Sequence, residues 1–113
     1  MIDLNGKINY ANDAACHFYK YKYGELINFN IRKLIFPDNL QIFDKEIKTL
    51  LARRQSDIEI IHLSRDNTQL PVFMHLALLK MPYGYFVVCE ITDLTKSRLA
   101  DESIRNVEPI GRA

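Results

Sequence analysis

Few side chains in this sequence are of types that do chemistry. Three histidines and two cysteines occur among 113 residues. No Cys-x-x-Cys is present, so a structural zinc site has no support. One combination could pair a nucleophile with a base, Cys89 with His62, but activation needs the two within hydrogen-bond reach. His62 stands in "SDIEIIHLSRDN" and Cys89 in "YFVVCEIT", with a third apolar run, "QLPVFMHLALLKM", between them. If the three runs pair in order, the middle one holds the two side chains apart. No oxyanion-hole or phosphate-binding loop is visible. A small stand-alone enzyme is therefore the weaker reading. Cys16 and Cys89 lie in segments that read as buried, which makes them inert, argues against a disulfide framework and fits a reducing cytoplasm.

The elements that position these residues follow from hydropathy and turn chemistry. "IDLNGKINYAND" reads as two short extended pieces around Asn5-Gly6, a strong hairpin signal. Asn12 or Asp13 can cap a brief helix, "AACHFYKY", which Tyr23-Gly24 should stop. "GELINFNIRKLIFPDN" is a mixed segment with one helical turn and a loop to Pro37. Asp38 or Asn39 then starts the clearest helix, with Leu40, Phe43, Ile47, Leu50 and Leu51 at helical spacing. Three strands follow, separated by turns at Asp66-Asn67 and "PYG". The order is that of an α+β domain with an antiparallel sheet and its helices on one side.

Alternation assigns faces. Val72, Met74, Leu76 and Leu78 share one face of the middle strand, and Phe73, His75, Ala77 and Leu79 the other. Both are apolar, whereas a sheet with one solvated face alternates apolar with polar. A helix outside this chain or a second copy should cover the outer face, so a homodimer is expected. His75 points to that face. A two-residue Pro82-Tyr83 turn would pair it directly with Glu90, and a three-residue loop with Gly84 bulged would shift the register by one.

Composition limits the partners. Apolar residues make up 48% and charged residues 26%, ordinary values for one globular domain, and the net charge is +1. The densest basic patch, Lys45, Lys48, Arg53 and Arg54, is interrupted by Asp44 and Glu46 and reads as a solvated helix face, so no nucleic-acid partner is expected. No apolar run approaches the ~18 residues that a membrane helix needs.

Four blocks resemble the PAS (Per-Arnt-Sim) sensory family, in order and across residues 2–98. "IDLNGKINYANDAA" resembles its opening Asp-x-x-Gly-x-Ile-x-x-x-Asn-x-Ala-Ala, and "YKYGELIN" its Tyr-x-x-x-Glu-Leu-Ile-Gly. "SRDNTQLPV" resembles its Lys-Asp-Gly-Ser-x-x-Pro-Val hairpin, and "EITDLTKSR" its Asp-Ile-Thr-Glu-Arg exit motif. Lys20, Asn28 and Asn67 stand where the family favours glycine. Asn keeps the left-handed backbone accessible, whereas Lys20 has no such excuse. The family's first strand also begins several residues earlier, so this one is short or the chain is trimmed from something longer.

The resemblance implies the PAS fold, a five-stranded antiparallel sheet with the first and last strands central, short helices around a pocket and a C-terminal signalling helix. Residues 1–95 would form the sensory domain. Residues 96–113 would begin the helix or linker to an output domain not present here, such as a histidine kinase or diguanylate cyclase. Asp93 and Thr95 are the expected signal relay, either being able to cap that helix. Leu99, Ala100, Ser103, Ile104 and Val107 would share one side of it.

The pocket candidates are His62, Ile60, Met74, Leu76, Cys89, Ile91 and Phe43, and the dimer or outer-face candidates are Phe73, His75 and Glu90. Tyr10, Phe18 and Tyr19 could also line the cavity. His62 is either a ligand contact or a core histidine bonded to a carbonyl or at the sheet edge. A small-molecule ligand is possible and its cofactor class unknown. Flavin photoreceptors carry Asn-Cys-Arg-Phe-Leu-Gln where this chain has "NIRKLI", with Ile31 at the reactive-cysteine position, so a photoreceptor-type adduct is excluded. Haem is disfavoured because residues 38–55 contain no histidine. The expected function is a cytoplasmic sensory and dimerisation module that relays the state of a ligand or partner.

Overall fold

The structure is a computed structural model that describes residues 1–95. A two-residue strand, β1 (Ile2–Asp3), precedes two short helices, α1 (Asp13–Tyr19) and α2 (Tyr23–Leu26). Two 3-10 turns, Ile31–Leu34 and Pro37–Asn39, lead into α3 (Leu40–Arg53). The strands β2 (Gln55–Leu63), β3 (Gln69–Met81) and β4 (Gly84–Asp93) complete an antiparallel sheet in the order β1-β4-β3-β2. This is the expected α+β, PAS-type architecture.

The strand count and strand positions differ from expectation. The sheet has four strands rather than five, and β1 is its edge rather than a central strand. The turn at Asn5-Gly6 forms: the Gly6 amide donates to the Asp3 carbonyl at 3.0 Å, and Asp3 donates to Lys7 at 3.0 Å. Gly6 has φ of 92°, and a Cβ there would lie 2.6 Å from the Arg32 guanidinium, so this position requires glycine. The second extended piece then makes only isolated bridges, Ile2 to Ile8 and Lys7 to Asn30. Its backbone is engaged elsewhere: Ile8 donates to the Phe29 carbonyl and accepts from Asn28, both at 2.8 Å.

The helices correct two further expectations. α1 ends at Tyr19, before Tyr23-Gly24, because Lys20 adopts a left-handed conformation and its amide bonds back to Cys16 and His17. Tyr23 instead begins α2, where Glu25 reaches back to the Lys22 amide at 2.9 Å. In α3, Phe43, Ile47 and Leu50 are buried, while Leu51 points to solvent at 59% exposure. Asn39 does not cap α3 with its side chain; its Oδ1 accepts from the Ile61 amide at 2.7 Å and ties the helix start to β2.

The core lies between the helices and one sheet face. Ile58, Ile60, Val72, Met74, Leu76 and Val87 are buried there against Leu26, Leu34, Phe43 and Leu50. The opposite face carries cross-strand rows set by the register: Glu59–Phe73–Thr92, Asp57–His75–Glu90 and Gln55–Ala77–Val88. Met81 pairs with Gly84, so the β3–β4 turn is the two-residue Pro82-Tyr83 form. Among the described residues no helix is long and apolar enough to cross a membrane.

Candidate functional site

α1 forms because Asn12 caps it: the Asn12 Oδ1 accepts from the Ala15 amide at 2.9 Å, satisfying an orphan first-turn donor. Ala11, Ala15 and Tyr19 recur at intervals of four and share one side of this segment. That side faces β4 across a cavity of about 380 Å³. Ile2, Ile8 and Tyr10 line it from the N-terminal segment, Leu26, Ile31 and Leu34 from the loop region, and Val88, Cys89 and Ile91 from β4. Two alanines where larger side chains would fill the gap are what leave the space. The lining is predominantly apolar, which suits an apolar small molecule with few polar groups.

The cavity wall thus includes Cys89 and Ile91, together with Tyr10 and Tyr19. The other pocket candidates are placed elsewhere. Phe43, Met74 and Leu76 are fully buried and Ile60 nearly so, all packed in the core rather than bordering this cavity. The physical reason is that α3 packs directly against β2 and β3, so that half of the sheet face is filled by side chains. The space remains beside β4, where only the short α1 and the loop segments lie.

His62 is completely buried but does not border the cavity. Its Nδ1 lies 2.6 Å from the Tyr19 hydroxyl, and Ile35 bridges its backbone. No partner of Nε2 is found among the described residues. The phenol donates to a neutral imidazole, since burial pushes the His62 pKa down to about 4 and raises that of Tyr19 above its ordinary value. Tyr19 is therefore the wall residue, and His62 supports it from behind. Burial also pushes the Cys89 thiol up to about 11, which leaves no reactive thiolate at neutral pH.

β4 carries this wall to the end of the sheet. The Asp93 Oδ1 accepts from the Thr95 amide at 2.9 Å, a local turn bond across two residues, and the Leu94 amide donates to the Pro71 carbonyl at 2.9 Å. The helix expected over 96–113 lies outside the described residues. On the outer face, His75 pairs in register with Glu90, but its Nδ1 contacts the Asp57 carboxylate at 2.5 Å. Phe73 is half-buried in the neighbouring row. Among the described residues no group of three or more His, Cys, Asp or Glu side chains is arranged to hold a metal ion.

The sequence profile of the PAS domain family matches residues 1–96. The chain belongs to the PAS domain family. PAS domains are sensory modules of signal transduction, and that is the level at which membership assigns a role. Similar solved structures include a PAS domain from a two-component sensor histidine kinase, at 18% identity and a TM-score of 0.73, covering 81% of this chain and 79% of that one. A PAS domain from Colwellia psychrerythraea is 21% identical with a TM-score of 0.74, covering 84% of this chain and 83% of its own. The PAS-B domain of Drosophila melanogaster Cycle, with bound ethylene glycol, is 10% identical with a TM-score of 0.74, covering 81% and 94%. At these identities the likeness is one of fold. Comparison with the curated proteins gives no match.

The three positions where this PAS domain departs from the family's glycines all have positive φ: Lys20 at 64°, Asn28 at 71° and Asn67 at 63°. The backbone geometry is kept although the glycines are not. Lys20 gains a partner, its ammonium lying 2.7 Å from Asp66 in the β2–β3 turn. Ile31, at the position of the photoreceptor cysteine, lines the cavity. The wall residues Ile2, Ile8, Ala15, Leu26 and Leu34 went unrecognised because they are ordinary apolar residues of short segments. The four-residue spacing of Ala11, Ala15 and Tyr19 was the available signal.

Proposed function

We propose that this PAS domain is the sensory and dimerisation module of a bacterial-type cytoplasmic signalling protein, with the cavity between α1 and β4 as its receptor site. The observation that carries this reading is one of continuity. β4 supplies Cys89 and Ile91 to the cavity wall and, two residues later, Asp93 to the turn bond with the Thr95 amide. A ligand that moves β4 against α1 acts on a strand that leads directly into the C-terminal segment, so its differential affinity for two packings would bias that segment. The ligand class is a mainly apolar small molecule that fits about 380 Å³. Output would reside in a C-terminal domain.

Dimerisation through the outer sheet face is the second part of the proposal. Phe73, Ala77, Leu79 and Val88 make that face apolar, and the His75–Asp57 pair lies among them. The alternative, an enzyme acting in the same cavity, finds no support in the chemistry: the Cys89 thiol is protonated and the His62 imidazole is bonded to Tyr19.

Native mass spectrometry of protein purified from cells, repeated under denaturing conditions with an absorption spectrum alongside, tests the receptor reading. A mass excess that disappears on denaturation is expected. Bare protein that also fails to retain any apolar small molecule from a screened mixture would overturn it.

A further inference from the structure

The outer face of the sheet divides into two chemistries along its length. Toward the β3–β4 turn its positions are apolar: Ala77, Leu79 and Met81 on β3, Phe86 and Val88 on β4. The next row holds Asp57, His75 and Glu90 side by side on β2, β3 and β4. The His75 Nδ1 contacts the Asp57 carboxylate at 2.5 Å, and Glu90 stands in register on the other side. Glu59, diagonal to His75 on β2, is a third carboxylate of this face. The other diagonal neighbours, Gln55, Val88 and Thr92, are uncharged.

The sign of the charge is uniform. The outward positions of β2, β3 and β4 carry no Lys or Arg. His75 is therefore the one outward side chain of these strands that can become a cation. The other two histidines lie off this face, His17 on α1 and His62 in the interior.

Pairing this face with a second copy creates a charge problem that its apolar end does not solve. The Asp57–His75–Glu90 row is next to the Ala77–Val88 row, so a contact that buries the apolar end also brings the carboxylates of both copies together. Sheets packed face to face lie about 10 Å apart. That is about one Debye length at 0.1 M salt, and exclusion of water weakens the screening further. An imidazolium at His75 has a carboxylate on either side and offsets them; a neutral imidazole offsets neither. Histidine is also the side chain that ordinarily changes charge within the physiological pH range.

Resting on the dimer reading above, we propose that self-association through the outer face is proton-dependent, with His75 taking up the proton and Asp57 and Glu90 supplying the charge it offsets. Association and protonation are then reciprocally coupled. His75 holds its proton more tightly in the dimer, and the dimer is tighter at lower pH.

The test is sedimentation equilibrium of the 113-residue chain at about pH 8 and about pH 5.5. The dimer dissociation constant should fall at least about tenfold on acidification. His75→Gln should hold it near its alkaline value at both pH values, whereas His17→Gln should leave the dependence intact. Glu90→Gln should tighten the dimer at the higher pH and narrow the difference. Added salt at the higher pH should also tighten it by screening the carboxylates, a check that needs no variant to fold. A dissociation constant that is unchanged or raised on acidification, or a full dependence that persists in His75→Gln, would overturn the proposal and leave the dimer reading standing. A monomer at both pH values would overturn both.

Discussion

His62 is of a residue type that looks functional, and the fold holds it in the interior against Tyr19. It is completely buried with a depressed pKa, and its Nδ1 lies 2.6 Å from the Tyr19 hydroxyl. The unfolded chain would protonate it near the ordinary value of 6.5, the folded chain only near 4. Between those values the unfolded state binds more protons, so folding stability rises with pH and is lost as pH falls. Urea denaturation from pH 7 to 4 should show a fall on the order of 3 kcal/mol from this group, and His62→Leu should flatten the curve in that window. Lys20 supplies a second test. Its left-handed backbone costs about 1 kcal/mol that glycine would avoid, while its exposed ion pair with Asp66 contributes under about 1 kcal/mol. Lys20→Gly should therefore leave the thermal midpoint unchanged or raise it by a few degrees, whereas Lys20→Val should lower it.

At the scale of elements, the cavity reflects unequal coverage of one sheet face. α3 is long enough to fill the space over β2 and β3 with Phe43, Ile47 and Leu50. α1 has seven residues, and with Ala11 beside it presents two alanines toward β4. Ala15→Leu should fill part of the cavity and reduce retention of any apolar ligand at least about tenfold, with little loss of stability because the added methyl groups enter existing space. Retention measured by native mass spectrometry checks this. Asp93 belongs to the junction between β4 and the C-terminal segment. Asp93→Ala removes the turn bond to the Thr95 amide and should lower stability by about 1 kcal/mol or less, measurable by denaturation. In the full-length protein the same substitution should uncouple output from ligand, and unchanged signalling would end the relay proposal.

For the whole molecule, the two faces of the sheet are the organising fact. One is closed by helices and loops, and the other keeps an apolar stripe beside the Asp57–His75–Glu90 row. Leu79, on that stripe, is 38% exposed and is not part of the cavity wall. Leu79→Asp should convert a dimer to a monomer in sedimentation experiments while leaving the far-ultraviolet spectrum unchanged, since an exposed charge costs the monomer little. A dimer that survives this change would place the self-association elsewhere.

The sequence by itself determined what depends on local chemistry and periodicity. A cap at Asn12 or Asp13, the long amphipathic helix, the turns at Asn5-Gly6 and Asp66-Asn67, and the alternation of Val87, Cys89 and Ile91 were legible because neighbouring residues decide them. Four ordered motifs carried the family for the same reason. Only the tertiary structure decided which half of the sheet face is filled. It also decided that His62 meets Tyr19, 43 positions away, and that Ile8, beyond its single bridge to Ile2, bonds to Asn28 and Phe29. Those outcomes depend on helix length and on competition between distant backbone partners, which no local pattern records.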